Sequence, residues 1–425
     1  MRSRWKLLLV LLMFTVRTLS GAELVLVWND LTLRAIRYAN IPPPQAIRQM
    51  AIVHLAMFDA LDGLERKYKP YILEKQAPRE CSPEASVSAA AHHVLRTLFP
   101  KSADLLDSHY NAVLAAIPDT EAKTNGTKWG KQVATELLKL RQFDGAGQSA
   151  GYTYSDKPGY WNKTPPNFDK PLLPGWGRMK PFALPFAEEF RPPPPPALTT
   201  SNWAAQYHEV KLLGATNSTV RTAEQREIAL FWADGSGTET PPGHWNKIAQ
   251  QLARKRSYDL IDTARLFAAL NVAMADASVV CWDAKYTYKW WRPITAIRAG
   301  ATDGNPATEP DPNWTPLLIT PPFPEHVSGH STFSGAAAAV LAELSGSDEF
   351  PFVTSSDSLP GVVRRFNRFS DAAREAGMSR IYGGIHFPAA NQFGLECGRK
   401  VGAYVAGTFF QPMTAGDAVA KSGHP

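Results

Sequence analysis

Between residues 31 and 61 apolar side chains return every three or four positions: Leu33, Ile36 and Ile41, then Ala46, Met50, Val53, Met57 and Leu61. That is the beat of a helix face rather than the two-residue beat of a strand. Pro42-Pro43-Pro44 interrupts the run and divides it into an amphipathic helix, a stiff turn and a more apolar helix. The same spacing predicts helices over 82–98, 102–117 and 120–140. Ser82, and Asp119 or Thr120, stand where a side chain can accept from the free amides of a first turn. Helical spacing returns over 203–213, 222–232 and 245–254. From Asp259 or Asp262 a long helix runs to about residue 292, where Pro293 disfavours α geometry at the residue before it. Residues 331–344, and the chain beyond Pro388, predict two more helices. No alternating strand pattern of any length and no internal repeat appear, so the expected fold class is all-α.

One stretch breaks the period. Residues 145–196 are dominated by Gly, Pro, Tyr and Trp, with Tyr160-Trp161, Leu173-Pro174-Gly175-Trp176 and the prolines 192–196. So long a segment without period is a functional covering or a linker, and its aromatics favour an ordered cover across a site mouth or between bundles. The expected organisation is a leader at 1–22, an amino-terminal helical part with this cover at 23–200, and a carboxy-terminal helical part at 201–425.

Composition and charge narrow the function classes. A charged share of 20% and an apolar share of 44% describe a globular chain. Residues 1–22 carry a secretory pattern: basic Arg2, Arg4 and Lys6, an apolar run over 7–16, and Ser20-Gly21-Ala22 as a small-residue cleavage site. That run is shorter than the roughly 20 residues a membrane span needs, and no later segment is expected to span either. The mature chain is therefore expected to be secreted or periplasmic. Removing Arg2, Arg4, Lys6 and Arg17, with no acid among these residues, lowers the formal charge from +6 to +2. Little basicity is left to attract nucleic acid. Cys81, Cys281 and Cys397 show no CxxC spacing, and both one disulfide with a free thiol and three thiols remain open.

Candidate chemistry gathers in three clusters. The first carries Trp282, Lys285, Lys289, Trp290, Trp291 and Arg292; Lys285 and Arg292 lie seven apart, two turns of a helix and so one face. Cations among tryptophans are expected in a partly dry pocket that needs an anion. The second runs from Phe323 through His326 to Ser328-Gly329-His330. The prolines before it forbid a helix and the Ala-rich residues after it favour one. These three residues are therefore expected at a helix N-terminus, where free N–H groups and the dipole attract an anion. His330 adds a titratable proton there. The third brings Arg380, a planar oxyanion donor, and His386 beyond Gly383-Gly384. His54, inside an apolar helix, and the pair His92-His93, on two helix faces, read as structural.

Lys285-x6-Arg292-Pro293, Ser328-Gly329-His330 and Ser379-Arg380-x5-His386, in that order, resemble the shared motif of the vanadium-dependent haloperoxidases and the related type 2 acid phosphatases (PAP2). The Pro241-Pro242-Gly243-His244 loop and the amino-terminal helices are similar to the secreted bacterial haloperoxidase-like branch. The resemblance implies a pair of packed helical bundles around a vanadate or phosphate site. It implies His386 as the axial vanadate ligand, with Lys285, Arg292, Arg380, Ser328 and the Gly329 amide on the oxygens. It makes His330 the acid-base group toward hydrogen peroxide and Lys285 the group that polarises it. The implied outcome is oxidation of halide to hypohalous acid, which passes to a small organic acceptor. Trp282 and Phe323 look like the aromatic wall of a halide pocket.

The alternatives differ in kind. With phosphate esters the same motif implies a phosphatase with His386 as nucleophile. A non-catalytic oxyanion-binding relative and a zinc site using His326 and His330 are the other readings. One departure bears on all of them: family members often carry an acid four residues after the third-cluster His, and here that residue is Ala390, followed by Asn391. A His without a partner on its second nitrogen loses orientation.

Overall fold

The structure, a computed structural model, describes residues 21–414. The proposed leader falls on residues 1–20 outside this range, and residues 21 and 22 already lie in the first helix. The amino-terminal part consists of α1 (Gly21–Ala39), α2 (Pro43–Glu65), α3 (Pro83–Leu98), α4 (Ala103–Ala116) and α5 (Glu121–Arg141). Pro42 caps α2, and Pro43 and Pro44 occupy its first turn, where their missing N–H groups cost nothing. Ser82 and Thr120 cap α3 and α5 by accepting from Ala85 and Lys123 amides.

After the cover come α6 (Ser201–Leu213), α7 (Ala223–Phe231), α8 (Thr240–Lys255), α9 (Leu260–Tyr288) and α10 (Pro293–Arg298). Then follow α11 (Gly329–Ser345), a hairpin of β1 (Glu349–Ser355) and β2 (Val363–Arg368), α12 (Phe369–Tyr382) and α13 (Pro388–Thr408). One continuous core reaches from Leu24 of α1 to Val405 of α13. Its axis is α9, capped by Asp259 and enclosed by α2, α11 and α13. At 29 residues α9 is long and apolar enough to cross a membrane, against the expectation that no later segment would be. Its most apolar window is 94% buried within the protein, so its hydrophobicity is that of a core helix.

Two expectations fail in instructive ways. The long helix stops at Tyr288, not near residue 292, because Lys289 turns to a left-handed conformation with φ 52°. The cover then bonds the chain that follows: Trp161 N–H donates to the Lys289 carbonyl and Trp291 N–H to that of Gly159. Lys289 leaves the anticipated face, its ammonium 5.8 Å from the Tyr152 ring centroid, while Trp290 and Trp291 pack on Trp203. The hairpin was not expected at all. Along β1 the side chains alternate out and in, with Phe350, Phe352 and Thr354 buried, but Pro351 and a length of seven residues hide the pattern.

The segment 145–196 is an ordered cover. Asp276 of α9 accepts the amides of Phe182, Ala183 and Leu184, Arg191 pairs with Asp283, and Leu172 N–H donates to the Pro322 carbonyl. Leu172 thereby reaches the wall of the main cavity.

Candidate active site

Five helix ends bring the candidate residues to this cavity and to the layer behind it. Lys285 stands in the last turn of α9, Arg292 caps α10, Ser328 caps α11, Arg380 lies in the last turn of α12, and His386 precedes the Phe387 cap of α13. None of these five side chains is in a residue more than 4% exposed. Lys285 and Arg292 do converge, though not by sharing a helix face: the bend at Lys289 separates them, and the loop after it brings Arg292 back.

Arg292 is held by Nε donation to the Phe323 carbonyl at 2.8 Å and Nη1 donation to that of Ile385 at 2.8 Å. The same Nη1 lies 3.2 Å from His386 Nε2. A guanidinium only donates, so His386 Nε2 carries its lone pair and the ring proton sits on Nδ1. Nδ1–H meets Glu325 Oε1 at 2.9 Å, and that oxygen also accepts the Phe387 amide at 2.8 Å. Glu325 thus supplies the carboxylate missing at position 390. Ala390 instead contributes its carbonyl, which accepts from Ser328 N–H, and Asn391 accepts from the Ser331 hydroxyl.

Lys285 sits one layer behind. Its ammonium donates to the carbonyls of Pro324, Glu325 and Val327, so it braces the turn that carries Glu325. Phe323 lies over both cations, 5.0 Å from Lys285 Nζ and 4.8 Å from Arg292 Cζ, and tilts against Trp282 at 5.1 Å. Ser328 Oγ accepts from Ser331 N–H at 3.3 Å, which leaves its hydroxyl proton free to donate.

Burial without a bound anion penalises every cation here. It pushes Lys285 down to about 7, Arg292 down to about 9 and Arg380 down to about 10. His386 and His330 are held well below the usual imidazole range, first by burial and then by the neighbouring cations, so both rings are neutral. Glu325 is pushed up to about 7 by the same burial, opposed by the Phe387 amide, Arg292 and Lys285.

A cavity of about 480 Å³ is lined by His330, Arg380 and His386, with Gly329, Trp282 and Phe323. Around it three buried polar atoms have no protein partner: Arg292 Nη2, Arg380 Nε and His330 Nε2. Arg380 is anchored by Nη1 donation to the Trp232 carbonyl, and the His330 ring faces the carbonyls of Trp232 and Ala233.

The chain as a whole is similar to known proteins. The family model of the VCPO second helical-bundle domain matches residues 265–414. Vanadium chloroperoxidase of Curvularia inaequalis is 26% identical over 483 residues, covering 85% of this chain and 78% of that protein. The crystal structure of the first bacterial vanadium-dependent iodoperoxidase superposes with a TM-score of 0.81 at 29% identity, covering 93% of this chain and 98% of that one. Over most of its length the chain is similar to vanadium haloperoxidases. A bacterial vanadium-dependent chloroperoxidase in its holo form shares the fold, with a TM-score of 0.69 at 18% identity over 86% of this chain and 91% of that one.

The residues fit a tetrahedral oxyanion such as vanadate. Buried polar atoms are normally partnered, and a tetrahedral oxyanion would partner the three left bare. His386 Nε2 carries its lone pair at the same site, there accepting from Arg292 Nη1, and the first-turn amides of α11 add donors.

Two residues of this haloperoxidase-type site escaped sequence reasoning. Glu325 lay inside the second cluster but was passed over, because the acid was sought beside His386 in sequence and arrives from 61 residues earlier. Asp234 lines the cavity, bonds His244 Nδ1 at 3.1 Å, accepts from the Ser356 hydroxyl, and supplies negative charge to Arg380. His244 is fixed in turn by Thr354 of the unexpected hairpin at 2.7 Å. His326 donates from Nε2 to the Pro193 carbonyl, and no group of three His, Cys, Asp or Glu able to hold a metal ion occurs among the described residues.

Proposed function

We propose that this chain is a vanadate-dependent haloperoxidase that oxidises halide with hydrogen peroxide to hypohalous acid. The observation that carries the reading is that Arg380 Nε and His330 Nε2, both unpartnered, belong to residues lining the cavity that His386 enters, while the unpartnered Arg292 Nη2 belongs to the guanidinium that reaches His386. In balance, halide, hydrogen peroxide and one proton give hypohalous acid and water. Vanadate, when bound, supplies Lewis acidity toward peroxide without changing oxidation state. Arg292, Arg380, Ser328 and the Gly329 amide would hold its oxygens, His386 Nε2 would ligate the metal, and Lys285 would add charge from behind.

The chain's own residues do the rest. Neutral His330 offers Nε2 as the base that receives a proton from peroxide and returns one to the leaving oxygen. Glu325 holds His386 in the tautomer that leaves the lone pair on Nε2. Trp282 and Phe323 exclude water from a halide, which lowers its solvation and raises its reactivity. The secretory pattern of residues 1–22 supports a secreted or periplasmic location, and the mature charge of +2 supports small-molecule rather than nucleic-acid partners.

The carboxylate on His386 also suits a phosphohistidine, since it would stabilise the imidazolium formed on attack. One experiment separates the two: bromide oxidation by vanadate-loaded protein beside p-nitrophenyl phosphate hydrolysis by vanadate-free protein. Bromination is expected; ester cleavage without bromination would reverse the conclusion.

A further inference from the structure

We propose that the cavity beside the oxyanion site binds the organic acceptor, an apolar, electron-rich aromatic molecule of one or two rings, and that halogen is transferred to it there. The inference rests on the haloperoxidase reading and deepens it.

Size is the first argument. The four oxygens of an oxyanion, the two of peroxide and one halide would fill about 200 Å³ at about 30 Å³ per water-sized atom. The cavity holds about 480 Å³, which leaves room well beyond those reactants. An apolar void of about 150 Å³ accommodates benzene. Away from His330, Arg380 and His386 the wall is mostly apolar, with Leu172 of the cover, Leu317, Leu318 and Ile319 prominent in it. Ile319 is 72% exposed and stands at the mouth, so the apolar lining continues outward to solvent.

The second argument is chemical. Among the described residues lining the cavity there is no Met or Cys, whose sulfurs an oxidised halogen attacks most readily, and no Tyr or Lys. Six prolines line it: Pro42, Pro43, Pro44, Pro241, Pro321 and Pro322. Proline has no backbone N–H, so these positions cannot be N-halogenated either. Trp282, the electron-rich ring in the wall, is only 2% exposed. An oxidised halogen formed at His386 therefore meets no sulfur among the described lining residues, and an electron-rich aromatic seated on the apolar wall competes there with Trp282 and the two imidazoles. Transfer breaks the O–X bond of hypohalous acid, forms a C–X bond from the ring's π electrons, and releases the ring proton with hydroxide as water.

Two measurements on the full-length protein test this. Calorimetric titration of vanadate-free protein with thymol should show saturable binding at one site, weakened about tenfold or more by Ile319→Asp. No saturable binding, or binding indifferent to that substitution, would overturn the subsite. In the second, vanadate-loaded protein brominates thymol in competition with phenol-4-sulfonate, and the product ratio is compared with that from free hypobromous acid. The ratio should shift toward thymol by about tenfold. An unchanged ratio means that the halogen is released before transfer and overturns the subsite alone, whereas bromination of neither compound would overturn the haloperoxidase reading and this inference with it.

Discussion

Glu325 is the residue on which the orientation of His386 depends. Its Oε1 bonds both Nδ1 of His386 and the amide of Phe387, so it holds the ring and the start of α13 together. Partners of this kind behind a ligating His typically contribute 10–100-fold in affinity or activity. Glu325→Gln should therefore weaken vanadate binding by about that factor with the fold intact, as read by vanadate titration and circular dichroism; unaltered affinity would exclude the role. Lys285 makes a second prediction. In the anion-free protein it loses its proton near pH 7, because burial opposes its charge. A bound anion restores that charge, so binding takes up a proton and weakens as pH rises through this value. Sulfate, which does not itself titrate in this range, should bind more tightly at about pH 6 than at about pH 8.5, with calorimetry as the readout. Equal affinity would mean that Lys285 contributes nothing electrostatic. The two residues differ in legibility. Lys285 announces itself through the spacing Lys-x6-Arg-Pro. Glu325 does not, because its partner is distant in sequence and an acid between Pro324 and His326 looks like any loop acid.

At the scale of elements, the site exists because helix ends meet, and helix ends are what punctuation residues mark. Ser328 before an Ala-rich run and Pro388 placed the starts of α11 and α13 correctly. The end of α9 was misplaced because a tertiary partner decides it: strand-like bonding with Gly159 and Trp161 draws the chain out of the helix before Pro293 would stop it. The β1–β2 hairpin was missed for a local reason, Pro351 and the short strands hiding its alternation. Close approach of α11 and α13 holds Ser328 and His386 in register. Glycines permit it: a Cβ on Gly398 would strike the Thr332 carbonyl, and one on Gly335 the Leu395 carbonyl. Gly398→Ala should destabilise the protein by about 1–3 kcal/mol, as overpacking does. Denaturant unfolding checks this, and an unchanged midpoint would mean that the two helices separate easily.

Across the whole molecule, an apolar bundle built on α9 carries a small charged chamber at one junction of its helices, and the cover strapped to Asp276 and Asp283 forms part of its roof. Periodicity revealed most of the bundle's helices in order, though not α10 or α12; it could not reveal that α9 is enclosed, since a membrane span and a core helix share the same composition. The three clusters were legible because each combines a turn signal with a chemically specific side chain, and their meeting in one place is the claim from which the functional reading follows. Vanadate retention measures that claim most directly. After equilibrium dialysis, wild-type protein should hold a single equivalent of vanadate and His386→Ala almost none, with both variants folded alike by circular dichroism. Wild-type retention by His386→Ala would contradict the account.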